Sequence, residues 1–102
     1  MSANILIVDD EEPIRFSLRG IIEDEGHKVW EAASGEEALA LCEESLPDLV
    51  FLDIWLPGID GLTVLDRLRR QEADLPVVMI SGHGSIETAV VSIRAWPPSG
   101  EQ

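Results

Sequence analysis

Two uninterrupted apolar tetrads, each running straight into acid, constrain this chain more than any other feature. Ile5-Leu6-Ile7-Val8 is followed by Asp9-Asp10-Glu11-Glu12, and Leu49-Val50-Phe51-Leu52 is followed by Asp53. Neither tetrad alternates apolar with polar residues, so neither suits a strand with one wet face. Each reads as a strand covered on both sides, the pattern of a parallel sheet sandwiched by helices. Sheets of that kind bind ligands beyond the carboxyl ends of their strands, and both acidic stops fall there.

The segments between supply the covering helices. Pro13 opens a stretch in which Ile14, Leu18, Ile21 and Ile22 recur at helical spacing, and Gly26 suits the position just past its end. Lys28 to Ala32 is a weaker strand. Ser34-Gly35-Glu36-Glu37 fits a capping box opening a helix with Ala38, Leu41 and Cys42 on one face. Pro57, Gly58 and Gly61 mark a loop before a helix expected to turn Leu62, Leu65 and Leu68 inward, and Leu75 to Ile80 supplies a further strand. Ser81-Gly82-His83-Gly84 forms a loop, and Ser85 can cap a last helix carrying Ile86, Ala89, Val90 and Ile93. The alternation predicts an α/β fold, an open parallel sheet with flanking helices.

At 102 residues, 45% hydrophobic and 26% charged, the chain holds one globular domain with no repeat. Twenty acidic residues against seven basic ones leave a net charge of -13, which repels nucleic-acid phosphates and anionic lipid and argues against direct binding of either. The apolar runs are far too short for a bilayer span, residues 1–4 lack the basic start of a secretory signal, and Cys42 has no partner for a disulfide. A cytoplasmic location is expected.

If the first and third strands are neighbours, Asp9, Asp10 and Asp53 converge on one small volume. Two carboxylates about 4 Å apart repel by about 4 kcal/mol at an effective dielectric near 20, so a cation is expected among them. Hard oxygen donors without competing sulfur or nitrogen favour Mg2+, with Mn2+ possible in its place. A carboxylate beside such an ion and facing water is a plausible nucleophile toward phosphorus, and Asp53 is the best placed. Taken alone, Asp9 to Glu12 could be a solvated turn favouring a helix N-terminus; a third carboxylate at another strand end weakens that reading. Ser81 can offer a hydroxyl to a phosphoryl oxygen on Asp53.

At these residues the chain resembles a known family. Ile5 to Glu11, Leu52-Asp53-Ile54-Trp55-Leu56-Pro57-Gly58-Ile59-Asp60-Gly61 and Pro76-Val77-Val78-Met79-Ile80-Ser81-Gly82 look like the CheY-like receiver domains of bacterial two-component response regulators. Ser81 to Ala89 is similar to receivers of the nitrogen-regulation class. The resemblance implies a flavodoxin-like sheet of strand order 2-1-3-4 here. It implies Asp53 as phosphoacceptor, Asp10 as a direct Mg2+ ligand, Asp9 as a ligand largely through water, and the main-chain carbonyl of Trp55 as a further ligand. Ser81 matches the hydroxyl residue that reorients on phosphorylation. The implied phosphodonor is a sensor histidine kinase, and the implied role is phosphorelay signal transduction that regulates transcription through an output domain.

The resemblance runs from about Asn4 to Ala95, giving an incomplete receiver at 1–95 and an atypical tail at 96–102. Receivers carry a fifth strand ending in a phosphate-binding lysine. Here Lys28 is the only lysine, and Trp96-Pro97-Pro98 stands where that strand is due, though adjacent prolines cannot donate to a ladder. The fifth strand and fifth helix are therefore expected to be missing, as in a chain cut or rewritten near Ala95. Loss of that strand would leave Val77 to Ile80 as an exposed edge, from which a homodimer or higher oligomer is expected, with Trp96 and the prolines against a neighbour or the edge.

Other residues read as structural. His83 between glycines is a solvated loop residue, His27 is surface polar, and Cys42 is a buried, inert thiol. Trp30 is packed or half exposed, and Trp55 is placed to shield the site. Three functions remain open: a phosphoacceptor domain that is not a turnover enzyme, a degenerate interaction module that is not phosphorylated, and an aspartate-nucleophile phosphohydrolase. The last needs a second aspartate two residues beyond its nucleophile on the first strand, which Asp9-Asp10 does not provide.

Overall fold

The computed structural model describes residues 2–80 together with Ile93. In chain order the elements are β1 (Asn4–Val8), α1 (Glu12–Asp24), β2 (Lys28–Ala32), α2 (Gly35–Glu44), β3 (Leu49–Asp53), α3 (Gly61–Gln71) and β4 (Val77–Ile80). Among the described residues the strands form one parallel sheet of order β2-β1-β3-β4, with Ile7 opposite Phe51 and Val8 opposite Leu52. The expected α/β architecture and strand order are both met. The expected missing fifth strand and fifth helix, the 96–102 tail, Trp96 and whatever lies along the outer edge of β4 fall outside the described residues.

The two acid-terminated tetrads are buried for the reason their composition suggested. Side chains alternate across a strand, so Ile5, Ile7, Leu49 and Phe51 enter one core with Leu18 and Ile22 of α1, Ile80 and Ile93. Leu6, Val8, Val50 and Leu52 enter the other with Ala38 and Cys42 of α2 and Val64 and Leu68 of α3. All eight strand residues are at most 2% exposed, so a polar substitution at any of them would meet apolar neighbours on its own face. Cys42 is buried as expected, and burial raises its thiol pKa, which keeps it protonated and unreactive.

The helix ends follow local chemistry. Pro13 lies in the first turn of α1, and Gly26 leaves it at φ 91°, a left-handed conformation glycine adopts freely. Ser34 caps α2 by accepting the Glu37 amide at 3.1 Å, while the Glu37 carboxylate reaches back to the Ala33 amide at 2.6 Å. Asp60 caps α3 through the Thr63 amide at 2.8 Å.

Three sequence expectations need correction. His27 is not surface polar: it is 8% exposed, and its Nδ1 accepts the Ala3 amide at 3.0 Å. The Gly26 turn sends the chain directly back beside β1, where the Lys28 main-chain amide donates to the Ala3 carbonyl at 2.8 Å and His27 meets the Ala3 amide. Leu62 does not face the core but is 62% exposed, because α3 buries Gly61, Val64 and Leu68, and a strict three-residue spacing drifts around a helix of 3.6 residues per turn. Leu75 is buried but precedes the last strand, its amide closing a turn onto the Glu72 carbonyl. The expected last helix is represented only by Ile93, which is helical and buried.

Candidate metal and phosphoacceptor site

Asp9 stands one residue beyond Val8, and Asp53 one beyond Leu52, the last paired residues of neighbouring strands. Adjacent strands lie about 4.8 Å apart, so the two carboxylates meet across the sheet edge rather than by a loop excursion. Asp10 begins the turn into α1 and joins them. One carboxylate oxygen from each of Asp9, Asp10 and Asp53 falls within 4.8 Å of the others. Asp9 and Asp53 are buried at 4% and 6% exposure, while Asp10 opens to solvent.

Local hydrogen bonds hold this cluster in place. Asp9 Oδ1 accepts the Glu11 amide at 2.9 Å, and Asp53 Oδ1 accepts the Trp55 amide at 3.1 Å. Neither carboxylate has another hydrogen-bond donor among the described residues. Behind Asp53 the chain returns closely upon itself: Gly61 donates to the Ile54 carbonyl at 3.2 Å, and Ile54 donates to Ile80 at 3.0 Å. The reversal uses Gly58 at φ 73°. Burial pushes the Asp9 carboxyl up to about 6; the Glu11 amide opposes that rise, and the charges of Asp53 and Asp10 add to it. A raised carboxyl among like charges is relieved by a divalent cation, and an all-oxygen donor set fits a hard ion such as Mg2+.

The remaining expectations divide. Trp55 lies two residues beyond Asp53, but it is 77% exposed, too open to shield the carboxylates as expected. Ser81 and His83 lie outside the described residues. Lys28 sits opposite Asn4, at the amino end of the sheet and away from the carboxylates. Sequence reasoning passed over Arg15, whose Nη1 donates to the Asp9 carbonyl at 2.7 Å and whose Nε pairs with Glu31 at 3.0 Å.

The family model for the response regulator receiver domain matches residues 5–95. The chain belongs to this family. Receiver domains are regulatory modules whose general mechanism is phosphorylation of an aspartate. The receiver is 51% identical over 96 residues to the nitrogen assimilation regulatory protein NtrX of Azorhizobium caulinodans, covering 92% of this chain and 21% of that protein. It thus spans about a fifth of the length of the NtrX and NtrX-like relatives it matches. The crystal structure of the NtrX receiver domain from Brucella abortus superimposes with a TM-score of 0.74 at 54% identity, covering 90% of this receiver and 78% of that chain. TrrA from Thermotoga maritima, crystallised in complex with Mg2+-BeF, gives a TM-score of 0.74 at 40% identity, covering 76% of this receiver and 68% of that chain. No helix among the described residues is long and apolar enough to cross a membrane.

Proposed function

We propose that this receiver accepts a phosphoryl group on Asp53 from a phosphohistidine of a sensor histidine kinase, with Mg2+ held by Asp9, Asp10, Asp53 and the main-chain carbonyl of Trp55. The observation that carries the reading is the meeting of three carboxylates, two of them buried, at the ends of neighbouring strands. A Mg2+-BeF complex of the relative TrrA supports the choice of ion.

The residues divide the work. The Trp55 amide fixes one oxygen of Asp53, leaving the other to attack phosphorus as the donor's P–N bond breaks and an acyl phosphate forms. The bound ion supplies neutralisation of charge on the incoming group. Ser81 would offer its hydroxyl to a phosphoryl oxygen. Signalling to an output module that regulates transcription, in the cytoplasm, completes the proposal.

Incubation with acetyl phosphate and Mg2+, followed by intact mass spectrometry, tests it. One phosphate adduct is expected, absent with a chelator and absent in Asp53→Asn. Labelling should be slow, since the single lysine lies at the opposite sheet edge and one lost electrostatic contact costs on the order of 10²-fold in rate. A chain that binds Mg2+ but never takes phosphate would instead be the interaction module, a reading that the remote position of Lys28 favours. An adduct that persists in Asp53→Asn would refute the assignment of the nucleophile.

A further inference from the structure

We infer that Arg15 is a positioning residue for the metal site, holding the Asp9–Asp10 peptide so that the Asp10 carboxylate faces Asp53; the inference rests on reading the three carboxylates as that site. The main chain of Asp9 is tied on both sides. Its amide donates to the Ala32 carbonyl of β2 at 3.1 Å, and its carbonyl accepts Arg15 Nη1 at 2.7 Å. A peptide unit is planar, so fixing the Asp9 carbonyl also fixes the amide and the Cα of Asp10. Asp10 is exposed and its side chain makes no hydrogen bond among the described residues, so its direction depends on that plane.

The guanidinium is itself held. Arg15 Nε pairs with Glu31 Oε1 at 3.0 Å, and Arg19 Nη1, one turn along α1, takes Glu31 Oε2 at 2.6 Å. Arg19 also pairs with Glu23 at 3.0 Å. Exposed ion pairs contribute little, but the Arg15 side chain is only 15% exposed and spends one donor on a backbone carbonyl. Two arginines of α1 thus clamp one glutamate of β2, and the inner one reaches the turn that bears the ligands. The arrangement resembles the outer hydrogen bonds that orient metal ligands elsewhere.

Mg2+ titrations followed by tryptophan fluorescence, well below the melting temperature, test the role. Arg15→Met keeps the apolar stem and removes both donors; a Kd weakened about 10-fold or more is expected, the range for lost outer-shell partners. Arg15→Lys, which keeps a donor for the Asp9 carbonyl, should recover most of that loss. Arg19→Met, which breaks only the outer pairs, should shift Kd by less than about 3-fold. Wild-type affinity in a folded Arg15→Met, or an equal loss in Arg19→Met, would overturn the inference while leaving the metal site standing. If Arg15→Met does not fold, Arg15→Lys and Glu31→Gln decide: near-wild-type Kd in the first with a weakened Kd in the second supports the role, and any other pairing overturns it. A wild-type chain unresponsive to Mg2+, like its Asp53→Ala variant, would remove the site and this inference together.

Discussion

Alanine at position 61 is expected to destabilise the receiver by up to about 2 kcal/mol and to weaken Mg2+ binding, although its local conformation favours alanine. Gly61 opens α3 without a positive φ, and a helical glycine replaced by alanine ordinarily gains about 1 kcal/mol. The space behind it decides otherwise. A Cβ there would meet the Asp53 carbonyl oxygen inside van der Waals contact and the Ile54 Cα at 2.8 Å, both backbone atoms with no rotamer to yield. Overpacking typically costs 1 to 3 kcal/mol, about enough to outweigh the helical gain, and relief must come by moving the segment that carries Asp53. Gly20 is the control: nothing lies within 4 Å of its added Cβ, so Gly20→Ala should stabilise by about 1 kcal/mol and leave Mg2+ affinity unchanged. Urea unfolding of the two variants measures the difference, and a stabilised Gly61→Ala would contradict the crowding behind Asp53.

These positions also show which parts of the molecule could be read from residues alone. The absence of polar alternation in Ile5 to Val8 and Leu49 to Leu52 marked strands buried on both faces, and the acids at their ends marked the ligand edge. Adjacency of β1 and β3 came from family resemblance, because periodicity says nothing about strand order. The burial of His27 depends on the amide of Ala3, 24 residues away in sequence, and no local pattern announces it. Arg15 escaped notice because one of its partners is a backbone carbonyl, which leaves no residue signature, and the other, Glu31, lies on β2, 16 residues away from this helical arginine. Leu62 was misplaced by an apolar spacing of three where the helix buries positions 61, 64 and 68.

Asn at position 9 should invert the usual effect of losing a charged residue. In the folded chain Asp9 keeps its proton up to about pH 6, against 3.8 for an ordinary aspartate, so the folded state binds more protons between those values. Stability from this group therefore falls as pH rises through that window, and above it the carboxylate costs up to about 3 kcal/mol. Glu31 acts in the opposite sense: burial pulls it upward, but the Arg19 and Arg15 pairs outweigh that and hold it low. Asp60 is also held low, by the Thr63 amide. Their contributions are lost only as pH falls below the ordinary carboxylate range. On these groups, metal-free protein should thus be most stable at about pH 4 to 4.5 and should lose stability as pH rises from there to about 6. At about pH 7.5 without metal, Asp9→Asn is expected to be more stable than wild type by up to about 3 kcal/mol, since asparagine still accepts the Glu11 amide. Saturating Mg2+ should close that gap, because an ion at about 100 times its Kd adds about 2.7 kcal/mol to wild type and little to a variant lacking one ligand. Thermal melts with and without Mg2+ give both numbers, and a destabilised metal-free Asp9→Asn would contradict the strain assigned to the cluster.

Mn2+ broadening of amide resonances locates a bound divalent ion without a phosphodonor or a substitution. With substoichiometric Mn2+, the amides of Asp9, Asp10, Glu11, Asp53, Ile54 and Trp55 should fade first, and excess Mg2+ should restore them. Broadening centred on another acidic stretch, such as Glu43 and Glu44, or none that Mg2+ reverses, would mean that the carboxylates at the ends of β1 and β3 do not form a metal site.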